Sequence, residues 1–201
     1  MVAPLNNTYS PLLYHRLVRP KWFTKKYIHD QITPRFAFND KVVLDFGSGT
    51  GANCSMFQPI HYIGIDPDAK RIHYAKKQYP NHKFHVFEHG KLPVDDGSVD
   101  YILIIAVLHH ISSEEIAEYM KEFKRVLKPD GSFIVMEPCM FKRKPVSNWF
   151  MNFYDDGEYI RNEEEYIQLF RENEFASQVI NRFRKGFFYH ELFFTANPRP
   201  T

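Results

Sequence analysis

Residues 44–53 read LDFGSGTGAN, with glycines at 47, 49 and 51 directly behind an apolar run that carries one acid, Asp45. Glycine accepts positive φ and lets backbone approach a ligand closely, so this alternation predicts a tight turn between a first strand and the next helix. The spacing also satisfies G-x-G-x-x-G/A, with Ala52 at the third position, so a nicotinamide-dinucleotide site fits the glycines alone. Asp45 is the more selective residue. A dinucleotide-binding strand keeps an apolar side chain at that point, whereas a carboxylate suits a ligand with positive charge beside it. The alternative is a local role, accepting hydrogen bonds from the turn's own amides.

Downstream, the chain alternates strands and helices. KVVLDFG (41–47) predicts a first strand, HYIGID (61–66) a second, HKFHVF (82–87) a third and VDYILIIAVL (99–108) a fourth. The fourth is nearly continuous in apolar residues, as expected of a central parallel strand buried on both faces. PDAKRIHYAKKQY (67–79) carries Ala69, Ile72, Ala75 and Tyr79 along one helical face. Ser112 with Glu115 predicts a capping box at the start of a helix whose Ile116, Met120, Phe123 and Leu127 share a face. KPDG (128–131) has the residues of a type I turn, followed by a fifth strand, SFIVMEP. Asn162 caps EEEYIQLFREN, and FASQVINRF and GFFYHELFFTA then predict an antiparallel pair joined near Lys185–Gly186. The expected fold is α/β: a Rossmann-like, doubly wound, seven-stranded and mostly parallel sheet with an antiparallel C-terminal strand and an N-terminal helical cap.

One domain over 1–201 is expected, with a helical cap at 1–40, a ligand-binding core at 41–138, an aperiodic aromatic and basic lid at 139–162, and a closing helix and strand pair at 163–201. Pro20 breaks the cap into two short helices. Net charge is +2 with acids and bases interspersed, which argues against a dedicated nucleic-acid binder. The two cysteines, Cys54 and Cys139, have no metal-ligand spacing and read as free thiols of a cytoplasmic protein. No run is long and apolar enough for a membrane span, and the first ten residues lack the pattern of a secretory signal.

Asp66 ends the second predicted strand, about 20 residues beyond the first glycine, where an acid accepts hydrogen bonds from ribose hydroxyls. Asp followed by Pro67 also reads as a helix N-cap with Pro at N1. Four stretches in order, VVLDFGSGTG, YIGIDPDAKRIHYA, FEHGKLPVDDGSVDYILIIAVLHHI and LKPDGSFIVMEP, resemble the class I S-adenosylmethionine-dependent methyltransferases, closest to the type 11 and ubiquinone-biosynthesis-like small-molecule enzymes. The resemblance covers roughly Asn39 to Pro138.

It implies S-adenosyl-L-methionine as cofactor and S-adenosyl-L-homocysteine as product. Asp45 and the turn Gly47, Ser48, Gly49 and Gly51 correspond to the seat of the methionine portion, and Asp66 to the ribose ligand. Pro67 packs against adenine; Glu88, where the family commonly has Asp, and His89 stand where the adenine edge is read; Ile105 and Ala106 line the donor near its sulfur. The implied reaction is in-line methyl transfer to an O or N atom of a small molecule, without a metal. His109 and His110 follow the fourth strand as candidate general bases, His109 facing the pocket and His110 structural; capping the strand is the alternative for both. Tyr14, Trp22, Trp149, Phe150, Phe153 and Tyr154 are the expected wall of an apolar acceptor cavity. The expected partners are that acceptor and, at most, a second copy of the chain, with no nucleic acid. A nicotinamide-dependent oxidoreductase and a catalytically silent donor-binding subunit remain the competing readings.

Overall fold

The glycine turn leaves its strand by bonding to the strand beside it. Gly47 and Ser48 both donate their amides to the carbonyl of Ile65, at 2.8 and 2.9 Å. The computed structural model describes residues 21–155, 157–186 and 189–199, and they divide into two compact units between Pro93 and Val94. Tyr14 and the first expected cap helix lie outside the described residues.

In the first unit, residues 21–32 are helical (α1), with a wider π turn at Lys25–His29. This is the second cap helix; it buries Ile28 and Ile32 and leaves Trp22 exposed. Strands β1 (Val43–Phe46), β2 (Tyr62–Asp66) and β3 (Lys83–Val86) pair in parallel, β2 between the other two. Helix α2 (Ala69–Gln78) turns Ile72 and Ala75 inward. The full helix expected after the glycines is replaced by two 3-10 turns, Cys54–Met56 and Pro59–His61. Gly and Asn at 51 and 53 are weak helix formers, and Pro59 has no amide to extend one. Gly51 (φ +78°) runs so close to the core that a Cβ there would lie 2.9 Å from the ring of Phe84. Phe84 also meets Tyr62 edge to face at 5.5 Å, so the turn is packed onto an aromatic core.

In the second unit, β4 (Val99–Ile105) runs parallel to β5 (Leu127–Pro138). The register jumps from Val99 opposite Leu127 to Tyr101 opposite Ser132. The expected KPDG turn is therefore a large bulge at residues 128–131 inside β5 rather than a separate connection. The capping box at Ser112 is present and starts α3 (Ser113–Val126), whose Ile116, Met120, Phe123 and Val126 are buried. The segment expected to be an aperiodic lid contains a helix, α4 (Pro145–Tyr154), with Pro at its first turn. Its apolar residues occur on both sides, which hides a helical stripe from a periodicity reading. Asn162 caps α5 (Glu163–Glu172), again through a capping box. Strands β6 (Phe175–Lys185) and β7 (Tyr189–Pro198) form the expected antiparallel pair, with β7 also antiparallel to β5. Phe133, Phe170, Phe175 and Phe194 lock this end through edge-to-face contacts at 4.9–5.2 Å.

The strand order is β3-β2-β1-β4-β5-β7-β6, a seven-stranded mixed sheet as expected. Ser112→Ala removes an oxygen that receives the Glu115 amide at 3.2 Å. The loss costs about 1 kcal/mol and lowers the melting temperature by about 2–4 °C, measured by thermal denaturation; an unchanged melting temperature would show that the cap contributes nothing.

Candidate functional site

In the first unit the end of β2 and the glycine turn are tied together by one carboxylate. Asp66 Oδ2 accepts the Gly49 amide at 2.9 Å and Oδ1 accepts the Asp68 amide at 2.9 Å. A carboxylate offers about four lone-pair directions, so each oxygen keeps one for a further donor. Burial raises the pKa of Asp66, and the amides of Asp68 and Gly49 and the Arg71 charge offset only part of that. An additional pair of hydroxyl donors would relieve it. The helix cap itself belongs to Asp68, which accepts from Lys70 and Arg71 amides, so Asp66 is not spent on capping. Two polar atoms of the same turn, Ser48 Oγ and Asn53 Oδ1, are buried with no hydrogen-bond partner among the described residues. Gly49 stands at φ +53°, a backbone conformation side chains rarely adopt, and a Cβ there would meet Asp66 Oδ2 at 3.9 Å, an ordinary contact. A nucleoside with free hydroxyls and a polar tail fits these features.

Asp45 is 1 % exposed and accepts the Tyr62 hydroxyl at 2.7 Å. A neighbouring strand's phenol is thus one of its partners. Pro67, Glu88 and His89 are exposed at the same ends of β2 and β3, where the Phe87 amide bonds the Asp66 carbonyl at 3.1 Å.

In the second unit the chain leaves β4 through Ile105, buried, and Ala106, at φ 55°. A left-handed non-glycine residue costs on the order of 1 kcal/mol, and here it is held by its amide on the Met136 carbonyl at 2.8 Å. The turn aims three successive amides at one buried acid. Val107 and Leu108 donate to Glu137 Oε1 at 2.8 and 2.9 Å, and His109 donates to Oε2 at 3.3 Å. The His109 ring adds Nδ1 to Oε2 at 2.8 Å, and its Nε2 lies 3.3 Å from Asp155 Oδ1. Arg161, also buried, donates to the carbonyls of Leu108 and Ile111 at 2.8 and 2.9 Å and closes the turn from the other side.

Burial alone would push the His109 pKa down. Its hydrogen bonds to Asp155 and Glu137, with their charges, overcome that and lift it to about 9. His109 is therefore an imidazolium near neutrality, with both N–H groups given to carboxylates, and has no lone pair for a substrate proton. His109 is 3 % exposed, while the ring of His110 lies tilted against it at 4.0 Å and is exposed. His109, His110 and Asp155 place ligand atoms within 4.8 Å of one another. Within that group His109 Nε2 faces Asp155 Oδ1 at 3.3 Å, the spacing of an ion pair. Glu137, Asp155 and Arg161 were not singled out from sequence. Glu137 had a signal, as the one charged residue in an apolar strand; the other two had none, being far along the chain from His109.

The described residues of the expected acceptor wall differ in exposure. Trp22 is 66 % exposed, and Trp149 and Phe153, at 62 and 68 %, stack on one another at 5.6 Å. Phe150 is half-buried, and the side chain of Tyr154 lies outside the described residues.

Residues 44–135 match the family described as "Methyltransferase domain". Over 107 residues the chain is 36% identical to a demethylmenaquinone methyltransferase of Chlorobaculum parvum, covering 52% of this chain and 43% of that one. The crystal structure of YcgJ from Bacillus subtilis superposes with a TM-score of 0.71 at 18% identity, covering 86% of this chain and 98% of that one. Geranyl diphosphate C-methyltransferase from Streptomyces coelicolor A3(2), in complex with Mg2+, geranyl diphosphate and S-adenosyl-L-homocysteine, gives 0.66 at 15% identity, with 90% and 80% covered. At such identities the structures share the fold alone. Residues 44–135 are thus similar to the S-adenosylmethionine-dependent methyltransferases. It spans about half the length of the curated relatives it matches.

The raised pKa of His109 makes a stability prediction. A group bound to its proton more tightly when folded stabilises fully below its unfolded pKa and loses that stabilisation as pH rises through its folded value. The window runs from 6.5 to about 9. The melting temperature of the wild type should fall across it, and that of His109→Gln should fall less. Parallel curves for the two proteins would contradict the buried imidazolium.

Proposed function

We propose that the chain transfers a methyl group from S-adenosylmethionine to an O or N atom of a small-molecule acceptor. The observation that carries this reading is Asp66: a buried carboxylate at a strand end, fixed by the glycine turn's amide, with a lone pair left on each oxygen. In this reading it accepts both ribose hydroxyls. Gly47, Ser48, Gly49 and Gly51 take the amino-acid end against bare backbone, and Asp45 supplies the negative charge that offsets the ammonium. Pro67 covers the adenine, the His89 amide and Glu88 meet its edge, and Ile105 and Ala106 bound the region next to the sulfur.

When bound, S-adenosylmethionine supplies a methyl group already activated by its sulfonium. What remains for the protein is alignment of the acceptor, and orientation of that kind supplies on the order of 7–11 kcal/mol. Glu137 and His109 serve as positioning residues: they fix the backbone of residues 106–109, where the strand gives way to the turn. His110, exposed and next to that turn, takes the proton of an acidic acceptor.

Calorimetry tests the donor site. Asp66→Ala leaves two hydroxyls unpaired against a lost carboxylate and should weaken S-adenosylhomocysteine binding by about tenfold to a hundredfold. Asp45→Asn keeps an acceptor for Tyr62 but removes the charge, and should weaken it by about tenfold. Unchanged affinity in both would refute the assignment, as would tight NAD binding with none for S-adenosylmethionine. Release of S-adenosylhomocysteine against a panel of phenols and amines reads the transfer itself. There His110→Gln should lower turnover by about 10²–10⁴-fold at unchanged donor affinity; equal turnover would remove His110 from the chemistry.

A further inference from the structure

Helix α4 is anchored by one face and exposed on the other. Ser147 and Met151 are buried, and Asn148 clasps the backbone of Phe141 at both N–H and carbonyl, at 3.2 and 3.1 Å. Phe141 in turn packs on His190 of β7 at 5.4 Å. The opposite face presents Val146, Trp149 and Phe153 at 64, 62 and 68 % exposure, spaced three and four apart. Single exposed apolar residues are normal on any surface. Here three of the seven large exposed apolar residues described in the chain stand on one face of one ten-residue helix.

Positive charge borders that face. Lys142, Arg143 and Lys144 precede the helix, all exposed, and none makes an ion pair among the described residues. Residues 141–154 contain no acid, and the first that follows, Asp155, is turned inward onto His109. Arg184, near the end of β6, is also exposed. With a whole-chain net charge of only +2, this is a concentration of charge rather than a general excess.

We infer that this face docks on an anionic lipid bilayer surface. Val146, Trp149 and Phe153 enter the boundary between headgroups and acyl chains, and Lys142, Arg143 and Lys144 meet the lipid phosphates. A helix of ten residues is about 15 Å long, half of what a span needs, so it lies in the plane of the interface. A protein partner would be fixed by directional hydrogen bonds around an apolar centre. This face offers adjacent aromatic bulk and mobile point charges, which a fluid headgroup layer accepts without a fixed register.

The full chain carries two tryptophans, so Trp22→Phe leaves Trp149 as the only reporter. Its emission should shift to the blue, and the protein should sediment, with phosphatidylcholine vesicles containing phosphatidylglycerol, but not with phosphatidylcholine alone. Each basic residue contributes about 1 kcal/mol, roughly fivefold. Lys142→Glu with Lys144→Glu should therefore lower partitioning at least about tenfold, and Trp149→Ser with Phe153→Ser should do the same by sedimentation. Circular dichroism checks that both variants fold; if the second does not, the charge pair decides. No shift and no sedimentation with the anionic vesicles overturns the inference. So does equal binding of the charge-reversed variant, or a shift with polyglutamate and none with vesicles, which assigns the face to an acidic protein.

Discussion

The carboxylate of Asp66 holds two pieces of backbone at once. Through Gly49 it fixes the turn that leaves β1, and through Asp68 it fixes the entry to α2. The turn cannot relax without breaking that bond, because its next glycine is packed against Phe84. The adjacent amides, of Gly47 and Ser48, are already committed to the Ile65 carbonyl. What remains open is polar and specific: two carboxylate lone pairs, the Ser48 hydroxyl and the Asn53 carbonyl oxygen. A buried acid in this state is costly as a free charge, which is why its pKa is raised. Hydroxyl donors from a ligand complete its hydrogen bonding. The proposed donor site is thus held by the same contacts that stabilise the first unit.

A second buried acid organises the other unit in a similar way. Glu137 collects three amides and the His109 ring, and so sets where the chain goes after β4. His109 extends the network to Asp155, and Arg161 caps the carbonyls that the turn leaves behind. A network with every member satisfied is rigid, and removing one member strands the others. This argues for His109 as a strut. It leaves His110, displaced outward by the same turn, as the histidine that can meet an acceptor.

Much of the fold was legible because it rests on local patterns. The strands, the Ser112 capping box, the Asn162 cap and the closing antiparallel pair follow from periodicity, cap residues and turn chemistry that act within a few positions. Two elements escaped. The helix after the glycines is reduced to 3-10 turns, where Gly51 and Asn53 favour helix weakly and Pro59 lacks an amide, and α4 was hidden by apolar residues on both its faces. In the site, the strand-end position of Asp66 could be read from spacing, and the structure adds that Asp68 does the capping. The burial of His109 and the exposure of His110 could not. They depend on Glu137 and Asp155, which reach the turn from distant positions, and no local pattern records such a convergence.

The most direct test of the donor seat is a crystal structure of the full chain with S-adenosylhomocysteine. The account predicts both ribose hydroxyls within about 2.5–3.0 Å of the two Asp66 oxygens, and the amino-acid end over Gly47–Gly51. A ligand bound elsewhere, or a ribose whose hydroxyls do not reach Asp66, would contradict it.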